Sequence, residues 1–132
     1  MIKYILQGEP ALKYQKRKGK GLVYDHDYQL FLNTVADLKE QHNGRELYQG
    51  PLQLIIIFYF PIPVKYRKRI PLLRHSWFSN KPEIDLCIKF VLQACHKVLY
   101  QNESHITALN VEKLYHEIPR TEIMINELDI HM

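Results

Sequence analysis

The chain has 132 residues, 46% of them hydrophobic and 24% charged, with only 5 Gly and 7 Pro. That is room for one domain with a sizeable core, and it excludes a low-complexity or largely disordered polypeptide. The net charge of +4 points mildly toward anionic partners, but its distribution says more than its sum. Residues 1–75 carry 13 Lys and Arg against 6 acids, whereas residues 76–132 carry 5 bases against 8 acids. A basic half and an acidic half imply opposed surfaces, or an acidic site fed by a basic one.

The longest apolar run, Leu54 to Phe60, is closed by Pro61 and Pro63 and is too short to span a bilayer. Met1–Gln7 lacks the apolar length and small-residue cleavage site of a signal peptide, so no membrane partner is expected. Cys87 and Cys95 fall in one expected helix, about 12 Å apart along its axis at ~1.5 Å per residue. They cannot bridge each other without unwinding it, and free core thiols in a reducing cytoplasm are expected.

In chain order, residues 2–6 read as a short strand broken by Gly8 and Pro10. Lys13 to Gly21 is a basic stretch that reads as an exposed loop or hairpin tip, with five cations: Lys13, Lys16, Arg17, Lys18 and Lys20. Tyr28, Phe31, Leu32, Val35 and Leu38 recur at helical spacing, predicting a helix over 27–41 with Asp25 or Asp27 as its cap and Asn43-Gly44 as its stop. Leu52 to Phe60, rich in Ile and aromatics, predicts a buried strand. A second basic segment holds Lys65, Arg67, Lys68 and Arg69 and leads into Arg74-His75-Ser76-Trp77-Phe78. Connections of that length are usually functional.

Ile84, Ile88, Val91, Cys95 and Val98 form one apolar stripe, predicting a helix over 83–99 with Pro82 in its first turn. Asp85, Lys89, Gln93 and His96 share an adjacent polar face of that helix. Ile106–Tyr115 and Thr121–Leu128 alternate as strands, and Glu117-Ile118-Pro119 between them predicts a hairpin. The order β-α-β-α-β-β gives a single α+β domain over 1–132, expected as a mixed sheet packed against two helices.

Two carboxylates, Glu83 and Asp85, stand two residues apart at the start of the second helix. In a regular helix they would diverge by about 200°, but in an extended or capping segment they point the same way and can share a cation. Lys89 lies one turn deeper on the face of Asp85, and Glu103 follows the helix in Asn102-Glu103-Ser104. If these groups converge they suit Mg²⁺, a hard cation that takes oxygen ligands, and the lysine would stabilise charge developing on a phosphoryl group. The ordinary reading is that the acids complement the helix dipole and that Asp85–Lys89 is a surface ion pair. The basic stretches have two readings as well. They are solvated loops, or they follow a phosphate backbone while Tyr14, Tyr66, Trp77 and Phe78 stack on bases. No pair of the seven His has zinc-ligand spacing.

Lys81-Pro82-Glu83-Ile84-Asp85-Leu86-Cys87-Ile88-Lys89, followed by Leu99-Tyr100-Gln101-Asn102-Glu103-Ser104-His105-Ile106, resembles the RusA-like Holliday junction resolvase family. That family has a K-P-D-x-D-N-x-x-K helix start and a Y-x-D-D-x-x-I turn. Asn110-Val111-Glu112-Lys113 and Pro119-Arg120-Thr121-Glu122-Ile123 resemble its closing hairpin, and Gly8-Glu9-Pro10-Ala11 to Tyr24-Asp25 resembles its N-terminal region more loosely. The resemblance implies a homodimeric, Mg²⁺-dependent endodeoxyribonuclease, with Mn²⁺ as a substitute, that cuts four-way junctions in DNA recombination and repair, typically encoded by phage or prophage. It implies that Glu83, Asp85 and Glu103 hold the metal and that Lys89 is the catalytic lysine. Glu83 and Glu103 stand where the family has Asp, Leu86 where it has Asn, Gln93 where it has a further Asp, and Asn102 where it has the first acid of the turn.

The expectation is therefore a small junction-cutting nuclease. Lys13, Lys16, Arg17, Lys18, Lys20, Lys65, Arg67, Lys68, Arg69 and Arg74 would hold the DNA arms, with Trp77 or Phe78 as a wedge at the junction centre. The alternatives are a DNA-binding protein of the same fold that does not cut, and a small RNA-binding or toxin-like protein.

Overall fold

A computed structural model describes residues 2–10, 25–69 and 75–129. Its elements in chain order are β1 (Ile2–Gln7), α1 (Asp25–His42), β2 (Leu52–Pro61), a 3-10 helix (Val64–Arg69), α2 (Ile84–Cys95), a 3-10 turn (Glu103–His105), β3 (Ile106–His116) and β4 (Arg120–Glu127). This is the expected α+β domain, one mixed four-stranded sheet with two helices. Among the described residues no helix is long and apolar enough to cross a membrane.

The sheet order is β1-β4-β2-β3, with β2 parallel to β3 and β4 antiparallel to both β1 and β2. β3 and β4 therefore do not form the expected hairpin. β2 lies between them, and Glu117–Pro119 crosses over its C-terminal end. The reason is burial. β2 is the most apolar strand, and a chain segment of that kind gains most from a central position with a neighbour on each side. A link of about four residues at ~3.3 Å each is long enough to step over one strand, two interstrand spacings of ~4.8 Å.

Side chains alternate along β2. Leu52, Leu54, Ile56, Phe58 and Phe60 are almost completely buried, joined by Tyr4 of β1 and Ile123 and Ile125 of β4. Against them pack Cys87, Val91, Ala94 and Cys95 of α2 and Leu38 of α1, so both helices cover this face. Both cysteines are free and buried, as their spacing implied. Burial pushes the Cys95 thiol up to about 12 and raises that of Cys87, which keeps both unreactive.

The sheet's two edges are closed differently. At β1, the Gln41 side chain from α1 accepts from the Ile5 N–H (2.9 Å) and donates to the Ile5 carbonyl (2.8 Å), taking the place of a strand. At β3, the segment His75–Phe78 lies alongside, with His75 N–H donating to Tyr115 O (2.8 Å), Tyr115 N–H to Ser76 O (2.9 Å) and Phe78 N–H to Lys113 O (2.9 Å).

Two boundaries differ from expectation. α1 extends to His42 and stops where Asn43 (φ 56°) and Gly44 (φ 70°) turn left-handed, as Asn-Gly suggested. α2 ends at Cys95, four residues short of the expected Leu99, because His96 is extended and Lys97 has φ 63°. Val98, Leu99 and Tyr100 stay buried in a turn, whose apolar pattern imitates another helical turn.

Candidate active site

The β2–α2–β3 crossover leaves α2 running back along the sheet, so that its N-terminus lies beside the C-terminal part of β3. Lys113 fixes that neighbourhood: its Nζ donates to the carbonyl of Asn80 (2.7 Å) and to that of Pro82. In open sheets with parallel strands this end is where ligands bind. Glu83 is the extended N-cap of α2 (φ −66°, ψ 146°) and Asp85 lies in its first turn, both exposed. Because Glu83 is outside the helix, the wide divergence of an in-helix i, i+2 pair does not apply to it. Lys89 is exposed one turn beyond Asp85, on the same side of α2. The helix dipole adds positive potential at the same point.

Glu103 is elsewhere. It opens the 3-10 turn that precedes β3, where Asn102 accepts a hydrogen bond from the Ser104 N–H (3.0 Å) and so caps the turn. Its charge acts on Cys95 and Tyr100, at the C-terminal end of α2, while that of Asp85 acts on Cys87. The ten residues from Asp85 to Cys95 span about 15 Å at ~1.5 Å per residue. Along β3, the path from Ile106 to Lys113 is about 23 Å at ~3.3 Å per residue. Carboxylates that far apart cannot share one octahedral Mg²⁺ with ligand distances near ~2.1 Å. Among the described residues no three His, Cys, Asp or Glu side chains gather closely enough to hold a metal ion. One chain thus offers Glu83 and Asp85 as a two-carboxylate donor set, which fits a Mg²⁺ that keeps most of its water, and holds Glu103 at the other end of α2.

The aromatic candidates separate as well. Trp77 is 71% exposed opposite Leu114, on the outer edge of β3. Phe78 is stacked on Phe60 (ring centroids 4.1 Å apart, 9° between planes) and meets Tyr115 edge-on at 5.1 Å. Phe78 is a packing residue, so Trp77 is the side chain free to meet a ligand. Lys65 and Lys68 are exposed in the 3-10 helix that follows β2, and Lys65 Nζ sits 4.9 Å from the Tyr66 ring centre. Lys13, Lys16, Arg17, Lys18, Lys20 and Arg74 lie outside the described residues, as do the side chains of Arg67 and Arg69.

Lys113 has no functional reading from sequence beyond its place in the resemblance. The signal available was its alternation: Val111, Lys113 and Tyr115 point to the helix-covered face in register with Ile56, Phe58 and Phe60, and a lysine among them needs a polar destination.

Two comparisons bear on identity. The family model described as "Endodeoxyribonuclease RusA" matches residues 7–126. An uncharacterized protein of Bacillus subtilis (strain 168), YqaN, is 30% identical over 140 residues, covering 96% of this chain and 96% of the relative.

Proposed function

The chain belongs to the RusA endodeoxyribonuclease family, and from that membership we propose that it is a Mg²⁺-dependent, homodimeric endonuclease that resolves four-way DNA junctions in cytoplasmic recombination and repair. The observation that carries this reading is the exposed Glu83/Asp85 pair at the start of α2, with Lys89 one turn on, at the sheet end that also presents Trp77. Glu83 and Asp85 hold the cation, with Mn²⁺ as a substitute. Bound there, the cation supplies Lewis-acid polarisation of a phosphodiester. Lys89 offers a positive charge to the phosphate as charge develops on it. Lys65, Lys68 and the basic residues of 13–20 follow the phosphate backbone, and Trp77 stacks on an unpaired base at the branch point.

The position of Glu103 gives the dimer a chemical role. Two α2 helices packed antiparallel about a two-fold axis set the N-terminal end of one beside the C-terminal end of the other. The acid pair of each subunit then meets Glu103 of the second copy, and two complete sites form only in the dimer. This arrangement suits a four-way junction, in which two opposed strands must be cut.

The test is a cleavage and mobility-shift assay with a four-way junction and a linear duplex. Asp85→Asn is expected to lose Mg²⁺-dependent cleavage of the junction by at least about 100-fold while still binding it, because the carboxylate is exposed and the fold does not use it. Unchanged cleavage by a clean preparation of Asp85→Asn would overturn the assignment.

A further inference from the structure

We propose that Lys113 is the positioning residue of the Glu83/Asp85 pair, setting the cation affinity of that pair from the strand behind it. This rests on the metal-site reading above and deepens it. Four observations converge on it.

Lys113 occupies a strand position paired with fully buried Phe58, on the face otherwise filled by Val111, Phe60 and Phe58. Lys113 is half-buried there, and its ammonium group takes protein partners in place of part of its water. It finds backbone rather than an acid: Nζ donates to the Asn80 carbonyl (2.7 Å) and the Pro82 carbonyl. The rings of Phe78 (5.2 Å) and Phe60 (5.8 Å) flank the ammonium and add cation–π attraction. Finally, α2 has no cap of its own, since Glu83 makes no side-chain hydrogen bond to the first turn. The segment that enters the helix is therefore tied down by Lys113 rather than by its N-cap.

Those carbonyls lie three residues and one residue before Glu83. Moving them moves the extended Glu83 relative to the helical Asp85, and Mg²⁺ accepts little change in ligand spacing. A group that orients metal ligands without touching the metal commonly sets affinity by tenfold or more. Lys113 thus acts through the backbone, whereas Lys89, on the open side of α2, acts on the phosphate.

The experiment is Mn²⁺ titration of the intact protein followed by electron paramagnetic resonance, alongside the Mg²⁺ dependence of junction cleavage. Lys113→Met keeps the apolar stem and removes the donor. It is expected to weaken Mn²⁺ binding about tenfold, to shift the Mg²⁺ requirement for cleavage by the same factor, and to leave kcat at saturating metal and junction binding in EDTA near wild type. Lys113→Arg, which can donate to both carbonyls, is expected to restore most of the affinity. If Lys113→Met does not fold, Lys113→Leu, which also keeps an apolar stem and removes the donor, makes the same comparison. Wild-type Mn²⁺ affinity in the folded variants overturns the proposal. So does loss of cleavage at every Mg²⁺ concentration with Mn²⁺ binding intact, which would place Lys113 on the substrate. Asp85→Asn, run in parallel, separates the two levels. If it retains full Mn²⁺ binding, the metal-site reading fails. If it loses binding while Lys113→Met keeps it, only the role of Lys113 fails.

Discussion

Glu122 is a buried carboxylate that the fold holds between two cations. Arg120 Nε lies 2.7 Å from it and Lys3 Nζ 3.2 Å, joining β4 to the edge strand β1. Burial alone would raise its pKa, but the hydrogen bonds from Arg120 and Lys3 more than offset that and hold it below the ordinary carboxylate value of 4.5. A lowered folded-state pKa contributes stability that is fully present above 4.5 and is lost as the pH falls through the folded value. Glu122→Gln is expected to cost about 1–3 kcal/mol at neutral pH, and to flatten the acid limb of thermal stability measured between pH 6 and pH 3. Trp77 is the single tryptophan of the chain and is 71% exposed. Its fluorescence therefore reports its own environment without interference. Binding of a four-way junction is expected to quench it, and Trp77→Ala to weaken junction binding by about 1–3 kcal/mol, the usual worth of a base–aromatic stack. An unquenched signal at saturating junction would remove Trp77 from the DNA-contacting surface.

Between elements, one close approach concerns the turn that carries Glu103. A Cβ added at Gly50, two residues before β2, would lie 2.6 Å from the Cβ of His105, so the approach of this segment to the turn needs a glycine there. Gly50→Ala is expected to cost about 1–3 kcal/mol by displacing the Glu103–His105 turn, read as a lowered Tm together with reduced cleavage. The elements themselves were legible because each carries its own period: alternating strands, the Ile84-Ile88-Val91-Cys95 stripe, and Asn43-Gly44 as a stop. Their assembly was less so. A Glu-Ile-Pro link between two alternating strands reads locally as a hairpin, and only competition for the centre of the sheet places β2 between them. The site divides along the same line. Glu83, Asp85 and Lys89 are close in sequence and stay close in space, whereas the distance to Glu103 depends on the direction in which α2 runs along β3. Lys113 was hidden because a lysine in a strand usually faces solvent, and its partners are backbone carbonyls that no side-chain pattern encodes.

At the scale of the whole molecule, the net charge of +4 averages a basic half and an acidic half of the sequence. Basic residues concentrate before position 75, the acids of the site after it, and α2 carries carboxylates beyond both of its ends, Glu83 before it and Glu103 after it. A single copy leaves those ends about 15 Å or more apart, so a site that uses both needs a second copy to bring them together. The most direct test mixes two inactive variants, Asp85→Asn and Glu103→Gln, as differently tagged subunits and purifies the heterodimer. If each site joins the acid pair of one subunit to Glu103 of the other, the heterodimer contains one site with all carboxylates intact, and it nicks one strand of a four-way junction while neither homodimer cuts. A heterodimer as inactive as both parents would contradict the account, because it would mean that all the carboxylates act within one subunit.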